Sequence, residues 1–173
     1  MPEVDDFNEI LEQFDIEVED FDGKIEMFNQ EIDGPAHRYA SYDFCYNYFH
    51  YVRGNALLRD MEKSCYAIGF YLASWGMYRG SSFILQRSAF YYKGLIEYIA
   101  SLETDSIWEI DVINYNENDN YERILDVYNK IENLIFPENH NGVNGQKNHL
   151  TMVTKIMMGI FGCIPAFDQY FLT

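Results

Sequence analysis

The sequence predicts an all-α, single-domain bundle of about six or seven helices. Apolar residues recur at helical spacing along most of the chain, and Gly and Pro punctuate it at helix-length intervals. Hydrophobic residues make up 48% of its 173 residues, far from a disordered composition. A chain of this length buries roughly 70% of its unfolded surface, enough for a core without a disulfide or metal staple.

Residues 1–33 carry the first pattern. Phe7, Phe14, Phe21 and Phe28 recur every seven residues, and Leu11, Val18, Ile25 and Ile32 do so with an offset of four. On a helix these eight positions fall within an arc of about 100°, the width of an amphipathic stripe. The expectation is an acidic amphipathic helix with a Phe/aliphatic seam. Ile16 and Met27 fall outside that stripe, and Asp22-Gly23 is a hairpin signal. A small β-hairpin is therefore the alternative, although a two-residue loop there would set Glu19 opposite Glu26, a like-charge cross-strand pair.

Gly34-Pro35 closes the segment, so the chain divides into residues 1–33 and an aromatic-rich helical core over 34–173. His37 to Arg53 is dense in aromatics, and Tyr42, Cys45, Phe49 and Val52 form a helical stripe that ends at Gly54-Asn55. A central helix is expected over Ala56 to Tyr78. Gly69, Ala73 and Gly76, continued by Gly80, form a small-residue stripe against which another helix should pack. Glycine inside a helix costs roughly 1 kcal/mol relative to alanine, so close packing has to offset it.

Ser81 or Ser82 is expected to cap the next helix, which runs to about Leu102. Thr104-Asp105 caps a short piece around Ile107-Trp108, and an Asn-rich loop follows. Tyr121 to Phe136 is amphipathic and is stopped by Pro137. Residues 137–148, with two Asn-Gly pairs, are read as a loop. Leu150 to Ile164 is apolar on most faces and is expected to be buried. The apolar terminus, Tyr170-Phe171-Leu172-Thr173, is expected to dock.

The net charge of −16 is unevenly spread. Residues 1–33 hold 13 acids against Lys24 alone, a balance of −12. Residues 34–101 carry +3 and residues 102–173 carry −7. Such a chain should avoid bare nucleic acid, whose phosphates repel it. Cys45, Cys65 and Cys163 are odd in number and widely spaced, the pattern of buried free thiols in a reducing compartment. The first residues lack a basic and apolar leader, and no apolar run approaches the ~20 residues that span a bilayer. A cytoplasmic location with no membrane partner is expected.

Asp20 to Ile25 resembles the middle of a calcium-binding EF-hand loop, but the first and last loop positions fall on Val18 and Asn29, where carboxylates are required. His37, His50, His140 and His149 show no metal-ligand spacing, and no C-x-x-C occurs. No nucleophile elbow or phosphate loop is present. No His lies four to six residues beyond any of Arg38, Arg53, Arg59, Arg79 and Arg87, the spacing that helical ribonucleases use. No cofactor and no metal are expected.

Two functional readings follow. In the first, Glu12, Asp15, Glu19, Asp22 and Glu26 form a carboxylate ridge at spacings of 3, 4, 3 and 4. Carboxylates so spaced on a helix stand ~5–6 Å apart and can imitate nucleic-acid phosphates. The chain is then an acidic interaction module. It would occupy the basic groove of a nuclease or of another nucleic-acid-binding protein in a host-defence complex, as an inhibitor. A homodimer through the Phe/aliphatic seam is a variant. In the second, a small helical enzyme or ligand-binding domain uses Tyr78, Arg79, His50 or Ser82 in a pocket among the Tyr-rich central helices. Arg79-Gly80-Ser81-Ser82 could hold an anion there. The plain counter-reading of the ridge is a solvated face that keeps an aromatic-rich protein in solution.

Overall fold

A computed structural model describes residues 23, 26, 34–80, 82–117, 119–137 and 145–168, side chains of 145–148 excepted. The chain divides into two compact units, residues 1–37 and 38–173, and each is taken by itself. Of the first, Gly23 and Glu26 are helical and exposed, and a 3-10 turn spans Gly34–Ala36. The remainder of the acidic segment, with the choice between helix and hairpin, lies outside the described residues. So do the EF-hand-like stretch apart from Gly23, and the chain terminus.

The second unit is helical, with no strand among its described residues. Its helices are α1 (Ala40–Tyr51), α2 (Asn55–Arg59), α3 (Met61–Ser74), α4 (Lys93–Ser101), α5 (Asn120–Ile135) and α6 (Gly145–Phe161). Short 3-10 turns link α3 to α4 and α4 to α5. No helix among the described residues is long and apolar enough to cross a membrane.

α6 is the packing centre. Its Met152, Val153, Ile156, Met157, Ile160 and Phe161 are buried, and α1, α3 and α5 all lie against it. The sequence explains this, because α6 is apolar on most of its circumference and can be covered from several sides. Gly159 makes the closest approach: a Cβ there would overlap the fully buried Tyr71 ring of α3. Tyr71 then reaches along α6 to donate its hydroxyl to the Lys155 carbonyl (3.0 Å). α5, by contrast, buries only one stripe, including Ile124, Val127, Ile131 and Ile135, and turns Glu122 and Asp126 outward.

α1 and α3 run antiparallel. Tyr42 meets Tyr71 at one end (centroids 6.3 Å apart), and Tyr48 hydrogen-bonds Ser64 at the other (2.8 Å). Between them Gly54 turns the chain with φ of +54°, a conformation that a side chain disfavours.

Two expected helices are broken. The central helix splits at Asp60, which leaves helical geometry and caps α3 by accepting from the Lys63 amide (3.3 Å). Ser64 supplies a second anchor, donating to the carbonyls of Leu57 and Asp60. The helix ends at Ser74, short of Tyr78. Of the small-residue stripe only Gly69 makes the close approach, and its neighbours are Tyr92 and Ala89 of a 3-10 turn. Gly76 and Gly80 instead adopt positive φ in the turn after α3, and Ala73 is exposed.

The helix expected from Ser81 or Ser82 to Leu102 is two 3-10 turns, Phe83–Gln86 and Ala89–Tyr92, followed by α4. Ser82 and Ser88 precede these turns in extended geometry, and neither side chain caps. Ile84 and Tyr92 are fully buried, so tertiary packing overrides local helix preference here. Asp105 caps as expected, accepting from the Ile107 amide (2.9 Å), and also pairs with Arg123 of α5.

Candidate functional site

The residues singled out for the acidic ridge fall largely outside the described structure. Glu26 is exposed on helical backbone; Glu12, Asp15, Glu19 and Asp22 lie among the residues not described.

The residues proposed for a central pocket are described; the Ser82 amide donates to the Arg79 carbonyl (3.2 Å), but no side-chain hydrogen bond or ring contact joins the four. His50 lies near the C-terminal end of α1. Its Nδ1 accepts from the Arg53 guanidinium (3.3 Å), while Arg53 stacks on the Trp108 ring (4.4 Å to its centroid). Trp108 meets His50 edge-on and packs against Phe161 of α6. Burial lowers the His50 pKa, the Arg53 charge lowers it further, and the Phe161 carbonyl pulls weakly the other way. Arg53 Nε is buried without a hydrogen-bond partner. The cluster ties the end of α1 to Trp108 and α6. Among the described residues no hydroxyl or thiol is hydrogen-bonded to His50; the Tyr46 ring lies tilted against it, centroids 4.0 Å apart.

Tyr78 is engaged elsewhere, its hydroxyl 2.9 Å from that of Tyr92. The exposed Arg79 folds back over Gly76, and Ser82 leads into a 3-10 turn. Tyr78, Arg79 and Ser82 thus belong to the turn after α3, while His50 belongs to the end of α1.

Sequence reasoning passed over Lys155, which lies within the apolar stretch from Leu150 to Ile164. Its side chain is 7% exposed, and Nζ donates to the Trp75 carbonyl at the C-terminal end of α3 (3.1 Å). Asp168 stands 3.8 Å away. A cation at a helix C-terminus meets unpaired carbonyls and the negative end of the helix dipole. Burial lowers the Lys155 pKa; Asp168 opposes this, and the nearby charges of Arg79 and Arg38 assist it. The amine is thus committed to capping α3.

The three cysteines are free and buried, as expected. Burial raises the thiol pKa of Cys45 and Cys65 and pushes that of Cys163 up to about 12, so none is poised as a thiolate. His149 stacks on Phe136 (3.6 Å) and lies 3.5 Å from Glu132; His140 lies outside the described residues. Among the described residues no group of three or more His, Cys, Asp or Glu is arranged to hold a metal ion.

Among the described residues the surface of the α1 and α3 pair is concave. A groove of about 390 Å³ runs between α1 and α3, lined by Phe44, Cys45, Tyr48, Lys63, Tyr66 and Ala67. Its walls are almost wholly apolar: the Tyr48 hydroxyl is tied to Ser64, and Lys63 lies over the Tyr48 ring (5.5 Å). Sequence spacing alone does not show it, because Phe44 and Tyr66 read as members of an aromatic core. Such a groove offers contact area and shape, not acid-base chemistry. No protein-family model, curated protein or solved structure matches this chain.

Proposed function

We propose that the protein is an acidic interaction module whose N-terminal carboxylate ridge engages the basic groove of a nucleic-acid-binding protein. The observation that carries this reading is the segregation of charge: −12 of the net −16 resides in residues 1–33. A solvated tail has no use for an apolar residue at every third or fourth position, yet the Phe and aliphatic heptads run through the whole segment. Helical backbone at Gly23 and Glu26, with Glu26 exposed, is compatible with a ridge. The helical unit over 38–173 supports it from another side. Its conspicuous polar groups, His50, Arg53, Tyr78 and Lys155, hold elements of the fold together. Inhibition of a nuclease or of a host-defence complex is the concrete form of the proposal.

The test is charge reversal. Replacing Glu12, Asp15, Glu19, Asp22 and Glu26 with lysine should abolish capture of basic proteins by the full chain, and raised salt should weaken capture by the unmodified chain. Capture indifferent to both changes would remove the proposal.

A further inference from the structure

The outer face of the α1 and α3 pair plays no part in that proposal, yet it is unusually apolar. Phe44 is 60% exposed, Tyr66 57%, Phe70 67% and Tyr51 85%. They are not scattered. Phe44, Tyr48 and Tyr51 share one stripe of α1, Tyr66 and Phe70 share one stripe of α3, and the groove runs between the stripes. At the area that an aromatic side chain presents, the four exposed rings offer roughly 500 Å². That lies toward the upper end for the largest patch on a monomer. With the polar rim of Asp43, Asn47, Glu62 and Lys63, all exposed, the face approaches the ~800 Å² per subunit of a standard interface.

We propose that this face is a homodimer interface, on which a second copy of the chain packs its own α1 and α3. The rim charges select this occupant. The face carries both signs: Asp43 beside Phe44 at one end, and Lys63 beside Tyr48 at the other. A uniformly basic or uniformly acidic partner would set a like charge against one of them. A two-fold axis lying across the helices exchanges the two ends, and so brings the Lys63 end of each copy to the Asp43 end of the other. The aromatic stripes fill each other's grooves, and the two helix pairs stack as two layers.

This inference is independent of the acidic ridge, and salt separates the two. Copies of a chain with a net charge of −16 repel one another, so screening strengthens self-association while it weakens a complex with a basic partner. Sedimentation velocity of the full chain, over a range of concentrations at low and high salt, should show a monomer–dimer equilibrium that shifts toward dimer with salt. Phe70→Asp should weaken the dimer at least about tenfold, the scale of one lost interface anchor. Asp43→Lys and Lys63→Asp should each weaken it, and the double variant should restore it. That recovery also guards against misfolding of Phe70→Asp. A chain that stays monomeric at every concentration, or a dimer indifferent to Phe70→Asp and to both charge changes, would overturn the proposal.

Discussion

The same residue types do opposite things in two regions of this molecule. Tyr71 and Tyr92 are fully buried, and each hydroxyl has a partner: Lys155 for Tyr71, Tyr78 for Tyr92. Burial pushes both phenol pKa values up, because the charged form would lose its water. Around the α1 and α3 groove, Phe44, Tyr66 and Phe70 keep more than half of their surface in solvent. The first set uses aromatic area to build the core and uses its hydroxyls as pins. The second set leaves that area in solvent, where the proposed dimer would cover it.

If the division holds, stability should respond to the first set and ignore the second. The largest effect is expected at Gly159, where alanine would drive a methyl group into the Tyr71 ring. Gly159→Ala should cost about 1–3 kcal/mol of unfolding free energy in denaturant melts, although alanine is the better helix former. Tyr92→Phe keeps the packing and leaves the Tyr78 hydroxyl without its partner, a loss of about 1 kcal/mol. Phe70→Ser should shift stability by no more than about 0.5 kcal/mol, as a surface change does.

His50 adds a pH-dependent joint to the buried side of the comparison. Its pKa is lower in the folded chain than in the unfolded chain, so the unfolded state takes up the proton first as pH falls. The contribution of His50 is complete above the ordinary histidine range near pH 6.5 and is lost as pH drops through the folded value. His50→Gln should flatten that part of the stability–pH curve, and histidine NMR titration should place the ring below its ordinary value.

Helix content was legible because the buried stripes of α5 and α6 repeat at helical spacing. Pro137 marked the end of α5, and the Asp105 cap could be read from its position before Ile107-Trp108. Where the reading failed, tertiary contacts had decided. Asp60 was a legible N-cap, followed by Glu62 in the first turn, but the apolar run on both sides masked the break. The turns at Phe83–Gln86 and Ala89–Tyr92 arise from burying Ile84 and Tyr92, which no local pattern announces. The groove was illegible for a related reason: stripe spacing shows which residues share a face, not whether a neighbour covers it. Lys155 looked like a defect in an apolar helix, and only the fold reveals the helix end that it caps.

The claim that the acidic ridge stands in for nucleic acid has a direct test. A protein captured through the ridge should be presented, with the full chain bound, with its own nucleic acid in competition. Mimicry predicts mutual displacement: nucleic acid releases the chain in proportion to its concentration, and the chain releases nucleic acid. A stable ternary complex, with chain and nucleic acid bound to the partner together, would contradict it.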